Sequence, residues 1–281
     1  MANSNNGSRM TPEAALQLVL EKFPFKDYIK PTGNVHISVA SAVARHLAPG
    51  SKILDFGSGP CDKTAMFQAM GYECYAYDDL QDSWHVKGSN QAKIMEFAKD
   101  AGIRFTLAHV GEAFPYPKEY FDMVTLNGVV EHLHDSPRDL LNDILELLKP
   151  GGLLLVTVPN AANIRKRLDL LRGRTNYQRF DMFYWYPGQW RGHVREYVKR
   201  DLASLSQFLG LEIRELSGED QMLRALKGPV RFVYLRVTSL MKSWKDTWLL
   251  VARKPEGWKP RKTMPPGTVI SSGSTKYLYG E

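Results

Sequence analysis

Apolar residues along the chain follow two alternating rhythms. Short, nearly continuous runs (KILDF, YECYAY, IRFTLA, FDMVTLNGV, LLLVTVP) have the length and β-branched or aromatic content of buried strands. The stretches between them place apolar residues three and four apart, which predicts helices. Thr11-Pro12-Glu13 starts the first helix, with a hydroxyl cap, proline in the first turn and an acid beside the positive helix end. Leu16, Val19, Leu20 and Phe23 continue it. Further helices are predicted over residues 35–47, 63–70 and 90–101. Another lies in DSPRDLLNDILELLK, capped by Ser136 or Asp135 and ended by Pro150-Gly151-Gly152.

Strands alternating with helices predict a doubly wound α/β fold, a mostly parallel sheet with crossover helices on both faces. In such sheets the ligand lies beyond the carboxyl ends of the strands. Here those ends are the turn after Asp55, Asp78, the segment after Ala108, Asn127-Gly128 and Pro159-Asn160. Past Asn160 the alternation breaks over residues 161–192. It resumes with a helix over Lys199–Leu209 and the strands LEIREL and TWLLVARK. Residues 1–10 and the proline-, glycine- and serine-rich segment from Glu256 are expected to be disordered, leaving one domain over residues 11–255.

Composition narrows the class. No apolar run approaches the roughly 20 residues of a membrane span, and the polar start MANSNNGSRM lacks a secretory core. Cys61 and Cys74 make neither a disulfide framework nor a metal motif, so a reduced, cytoplasmic setting is expected. Residues 1–150 hold 14 Lys and Arg against 19 Asp and Glu, whereas residues 151–281 hold 23 against 11. The second half either meets something anionic or presents a solvated basic face.

The stretch KILDFGSGPCDKTA sets the ligand question. From Gly57 it nearly matches a P-loop, but Asp62 stands where the second glycine belongs, and a carboxylate there would oppose phosphates. A dinucleotide turn would need glycine at the same position. Both phosphate readings fail at Asp62. S-adenosylmethionine carries no phosphate. It needs a tight turn for its methionine end, which Asp55 to Gly59 would supply, and an acid for its ribose, for which Asp78 closes the next strand.

These segments, with FDMVTLNGVVEHLHD, LLNDILELLKPGGLLLVTVPN and GHVREYVKRDLASL, resemble the class I S-adenosylmethionine-dependent methyltransferases, the group that includes ubiquinone-biosynthesis O-methyltransferases and sugar or small-molecule methyltransferases. The resemblance spans roughly residues 50 to 215, with Cys61 where a third glycine is usual. It implies a seven-stranded Rossmann-like sheet. It further implies that Asp55, Gly57, Ser58 and Gly59 line the methionine end, Asp78 or Asp79 the ribose, and Glu112-Ala113 the adenine edge. Asn127 would lie near the sulfonium.

Methyl transfer to a hydroxyl needs positioning and a base, for which Glu131, His132 and His193 are the candidates. The alternative is that Glu131 and His132 only cap the following loop. Some relatives hold a divalent metal with a Glu-x-x-Glu-His set and a distant His. Here Gly128 stands at the first Glu, so the set is incomplete and no metal is expected.

In residues 161–192 six arginines alternate with aromatic residues, which reads as a lid over the acceptor. Arg172, Arg174 and Arg191 would grip anionic groups, while Tyr177 and Trp185 would stack on rings. The rival is an amphipathic helix with a basic solvated face. The expected acceptor is an anionic sugar, nucleotide- or lipid-linked, of the kind used in polysaccharide biosynthesis. RNA is the alternative without an evident binding module, and a small metabolite methylated on nitrogen is another. Residues 230–244, with Arg231, Arg236 and Lys242, read as a packed helix or, alternatively, an interfacial one making at most peripheral membrane contact.

Overall fold

A computed structural model of the protein describes residues 10–29, 33–109, 111–220, 226 and 228–264. The ends expected to be disordered, 1–9 and 265–281, lie outside the described residues. Three helices lead in: α1 (Pro12–Lys22), α2 (Lys26–Ile29) and α3 (Gly33–His46). Thr11 caps α1 by accepting from the Ala14 amide at 3.2 Å. The sheet then builds as β1 (Lys52–Phe56), α4 (Asp62–Ala69), β2 (Glu73–Asp78), α5 (Asn90–Asp100), β3 (Arg104–Leu107), β4 (Phe121–Asn127), α6 (Pro137–Leu147) and β5 (Leu148–Pro159). α7 (Ile164–Leu171), α8 (Phe180–Tyr184), α9 (Lys199–Leu209), β6 (Glu212–Glu219), α10 (Gly228–Leu240) and β7 (Thr247–Arg253) complete it.

The seven strands lie in the order β3-β2-β1-β4-β5-β7-β6. All pairs through β5 are parallel, and β7 runs antiparallel to both β5 and β6. Alternate residues feed two cores. Ile53, Cys74, Met123, Leu155 and Val251 pack against α1, α3, α4 and α5. Leu54, Tyr75, Val124, Val156 and Leu250 pack against α6 and α9. The winding reverses between β1 and β4, which opens a crevice at their carboxyl ends.

Ser136, not Asp135, caps α6. Pro150-Gly151-Gly152 does not precede β5 but lies within it, where the β4–β5 register shifts. Gly152 is obligatory there, because a Cβ would sit 2.8 Å from the Lys149 carbonyl. The carboxyl end of α6 is closed by Lys254, whose buried ammonium donates to the carbonyls of Leu145 and Leu148 at 2.9 and 2.7 Å. Replacing Lys254 by Met should leave both carbonyls without a donor and cost about 1–3 kcal/mol, read as a lower midpoint in urea unfolding with unchanged slope.

The described residues after Glu256 depart from their expected disorder. Trp258 donates its indole N–H to the Leu209 carbonyl at 2.6 Å, and the Arg261 amide donates to Asn142 at 2.5 Å. Residues 256–264 therefore strap α6 to α9.

Candidate active site

The crevice is a cavity of about 680 Å³. Its floor is the turn from Phe56 to Pro60, which leaves β1 through two left-handed glycines, Gly57 at φ +70° and Gly59 at φ +52°. A Cβ on Gly57 would meet Val129 Cγ2 at 2.5 Å, so the turn and the segment after β4 approach as only glycine permits. Cys61, the residue in place of a third glycine, itself adopts a left-handed φ of +63°. The chain takes the glycine conformation without glycine, and the buried Cys61 thiol rests 3.7 Å from Ser58 Oγ.

Asp78 borders the cavity and ties the turn in place. Its Oδ2 accepts from the Gly59 amide and its Oδ1 from the Leu80 amide, both at 2.7 Å. Burial pushes its carboxyl up, against the pull of these two N–H donors. Each oxygen keeps a further lone pair for a ligand hydroxyl.

Gly57, Ser58, Gly59, Asp78, Asp79, Asn127 and His132 all border this cavity. Asp55 does not. It is buried under β1, accepting from Thr64 Oγ1 at 2.5 Å, Thr125 Oγ1 at 2.7 Å and Asn127 Nδ2 at 3.2 Å. Burial raises its carboxyl against those three donors. Its place is beneath the turn, positioning Asn127. Glu112 and Ala113 also lie off the lining, where Ala108 and His109 at the end of β3 stand instead. Sequence reading missed a further wall, Tyr28, Trp84 and His85, in which the Tyr28 and Trp84 rings stack at 5.1 Å. No local spacing marks these residues, because α2 and the segment after β2 meet only in the fold.

Arg191 crosses the mouth of the cavity. Its Nε donates to Asp82 at 2.8 Å and its Nη2 to Asp79 at 3.2 Å. The guanidinium is thus engaged by two carboxylates, and Asp79 is occupied as well. The neighbouring carbonyls are also held: His132 Nδ1 donates to Arg191 O at 2.8 Å and His134 Nε2 to Trp190 O at 2.7 Å. These bonds fasten the end of the 161–192 segment over the cavity. Arg172 and Arg174 stand away from it at the end of α7, 3.8 and 3.7 Å from Asp169, and the Trp185 ring is exposed.

Glu131, His132 and His193 converge, with ligand-capable atoms within 4.8 Å of one another. Glu131 and His132 lie in a single 3-10 turn, Val130–His132, directly after β4. The Glu131 carbonyl accepts from the Val194 and Arg195 amides, which brings His193 alongside. A backbone carbonyl can only accept, so His132 Nδ1 carries a proton, and Nε2 is the nitrogen left to face a ligand. His193 Nδ1 likewise faces Glu196 Oε1 at 2.9 Å. Burial, then the neighbouring His132 and Lys166, lower His193 to about 4, so the ring is neutral at pH 7. Burial pushes Glu131 up to about 7, and its Oε2 is buried without a hydrogen-bond partner. His132 borders the large cavity. His193 borders a second one, of about 320 Å³, with Asn176, Tyr177, Gln178 and Glu196. His132 and His193, their rings 5.0 Å apart, form a partition between the two, and Glu131, buried beside them, borders neither cavity.

The fold and this site define a doubly wound α/β scaffold with its crevice at the switch point of the sheet, and the comparisons supply its family. Residues 30–216 match the methyltransferase domain family, to which the chain belongs, and that family is of the class I type whose cofactor is S-adenosylmethionine. The ubiquinone/menaquinone biosynthesis C-methyltransferase UbiE of Vibrio vulnificus is 31% identical over 115 residues, 38% of this chain and 41% of that protein. UbiE of Shewanella halifaxensis is 33% identical over 143 residues, 47% and 52% of the two chains. The match therefore spans about half the length of these curated relatives, or less. Among solved structures, the 1,6-didemethyltoxoflavin-N1-methyltransferase of Burkholderia thailandensis has a TM-score of 0.51 at 18% identity, covering 87% of this chain and 89% of its own. A SAM dependent methyltransferase from Aquifex aeolicus has a TM-score of 0.50 at 13% identity, covering 86% and 98%. At these identities the likeness is one of fold.

Proposed function

We propose that the protein is an S-adenosylmethionine-dependent methyltransferase whose cofactor occupies the large cavity and whose acceptor reaches from the smaller one past His132, so that its nucleophilic atom meets the methyl group directly. The observation that carries this reading is a pair of imidazoles, His132 on the glycine-turn cavity and His193 on a polar second cavity, with the buried Glu131 carboxylate within 4.8 Å of both. Gly57, Ser58 and Gly59 would admit the methionine end, Asp78 would accept from the ribose hydroxyls, and His109 would flank the adenine. The bound cofactor supplies a methyl group on a sulfonium, a leaving group that needs no proton. The chain's own task is orientation and proton removal. The acceptor hydroxyl would give its proton to Nε2 of His132 or His193, and the Glu131 carboxylate, within 4.8 Å of both rings, would receive it in turn.

The acceptor we infer is a small anionic, glycan-type molecule methylated on oxygen, such as a nucleotide- or lipid-linked sugar. Tyr177 on the second cavity would stack on its ring, and the basic segment around it would attract its charge. Incubation with methyl-labelled S-adenosylmethionine and fractionated cell extract tests this. Label in a glycan or glycolipid pool supports it. Label confined to RNA or to a quinone overturns the acceptor and leaves the methyltransferase.

A divalent cation is a second reading of the same partition, favoured by the unpartnered Glu131 Oε2 beside two imidazoles whose Nδ1 atoms are already oriented by acceptors. Three donors fit a cation that prefers nitrogen and oxygen ligands, while Gly128 offers no fourth side chain. Such a cation would act as a Lewis acid on the acceptor oxygen. Calorimetric titration with Mn²⁺ decides: binding that His193→Ala abolishes supports this reading, and no heat of binding removes it.

A further inference from the structure

Two helical segments on the carboxyl side of the sheet carry apolar side chains that the described chain leaves uncovered. Of the large apolar residues exposed among the described residues, nine lie between Leu168 and Trp185 and five between Val230 and Met241. Along α10, Val230, Val233, Val237 and Leu240 recur at i, i+3, i+7 and i+10, a single stripe. Only Tyr234 and Thr238 are buried from this helix, so the stripe runs beside its seat rather than in it. Arg236 flanks the stripe, and Arg231 lies exposed beyond the buried Tyr234 and Thr238.

Both segments are seated at one corner of the molecule. Asp246 accepts from Arg165 of α7 at 2.6 and 3.1 Å and faces Tyr234 of α10. The corner is basic. Residues 161–191 hold seven Lys and Arg against two Asp, and residues 228–245 hold four against no acid. Arg231, Arg236 and Lys242 have no ion pair among the described residues.

We propose that α10 and the α7–α8 segment dock together on an anionic lipid surface. The apolar stripe and the exposed rings would enter the boundary between headgroups and acyl chains, and the arginines would meet lipid phosphates. Charge complementarity selects this occupant. A second copy of the chain seated on the same face would oppose like charges, whereas an anionic leaflet favours each Lys or Arg near it by about fivefold in partition. Amphipathic Tyr184 and Trp185, both exposed, suit the headgroup level. The same segment ends at Trp190 and Arg191 on the cavity mouth, so docking would bring that mouth to the membrane plane. The proposal goes beyond the acceptor reading and does not depend on it.

Co-sedimentation of the full chain with vesicles tests it, using phosphatidylcholine alone and phosphatidylcholine mixed with phosphatidylglycerol. The protein should pellet with the mixed vesicles, stay in solution with the neutral ones, and be released by added salt. Arg231→Glu with Arg236→Glu should lower the partition by about 20-fold or more. Val233→Asp with Leu240→Asp should do so by at least about tenfold. Both positions of each pair are exposed, and unchanged binding of S-adenosylhomocysteine would show that the variants are folded. Failure to pellet with the mixed vesicles would overturn the proposal, as would equal pelleting by the aspartate variant. A concentration-dependent dimer that Val233→Asp with Leu240→Asp dissolves would assign the stripe to a second copy instead.

Discussion

Glu131→Gln is expected to lower kcat by about 10²–10⁴-fold and to remove the acidic limb of the pH–rate profile, with binding of S-adenosylhomocysteine unchanged. Glu131 follows β4 in a tight turn, and burial pushes its carboxyl up to about 7. A group poised there is half ionised at neutral pH, where a general base is most effective. His193 is lowered to about 4, so its loss should reduce kcat without moving a limb near neutrality. Glu131 also leaves a mark on stability. Its folded value exceeds the ordinary 4.5, so the protonated form is favoured in the native state. That contribution is fully present below about pH 4.5 and is lost as pH rises through about 7. It amounts to roughly 3 kcal/mol. Glutamine should flatten the dependence of the melting temperature over that window. A glutamine variant with the parent's rate profile would remove Glu131 from proton transfer.

His36→Leu should destabilise the fold by about 3–5 kcal/mol, lowering the melting temperature by roughly 10 °C. His36 of α3 and Asp62 at the start of α4 are both buried, and their side chains meet at 2.5 Å. Burial works to raise the Asp62 carboxyl, but Lys63 at 3.7 Å and His36 hold it well below the ordinary carboxylate range. A depressed acid stabilises the native state above its unfolded value, and that contribution is lost as pH falls below about 4. Leucine at position 36 removes the hydrogen bond and part of the charge compensation, leaving a carboxylate in the interior. The urea midpoint should therefore drop most at neutral pH and least in acid. Combining His36→Leu with Asp62→Asn should recover much of the loss, since the uncompensated charge is then gone. A His36→Leu protein as stable as the parent would show that Lys63 alone satisfies Asp62.

The strand and helix alternation was legible because periodicity reports which faces are buried, and each predicted strand forms. Asp78 at the end of β2 was legible because the fold places ligand acids at strand ends. The polar pairings were not. Asp62 reads as an argument against a phosphate, yet its partner lies 26 residues upstream on another helix, where no local pattern points to it. Asp55 reads like a ligand acid from its position, but Thr64, Thr125 and Asn127 use its carboxylate from beneath. Arg191 looked free to grip an acceptor, whereas Asp79 and Asp82 hold it across the cavity mouth. The sequence has the residues of each pair; only tertiary packing decides which meet.

Isothermal titration with S-adenosylhomocysteine, ATP and NAD, on the parent and on Asp78→Ala, tests the central claim most directly. Asp78 both faces the cavity and anchors the Gly59 amide, so alanine would remove the acceptor proposed for the ribose hydroxyls and loosen the turn. The account predicts binding of S-adenosylhomocysteine by the parent, no heat from ATP or NAD, and affinity weakened about tenfold or more in Asp78→Ala. Tight binding of ATP by the parent, with S-adenosylhomocysteine inert, would contradict it.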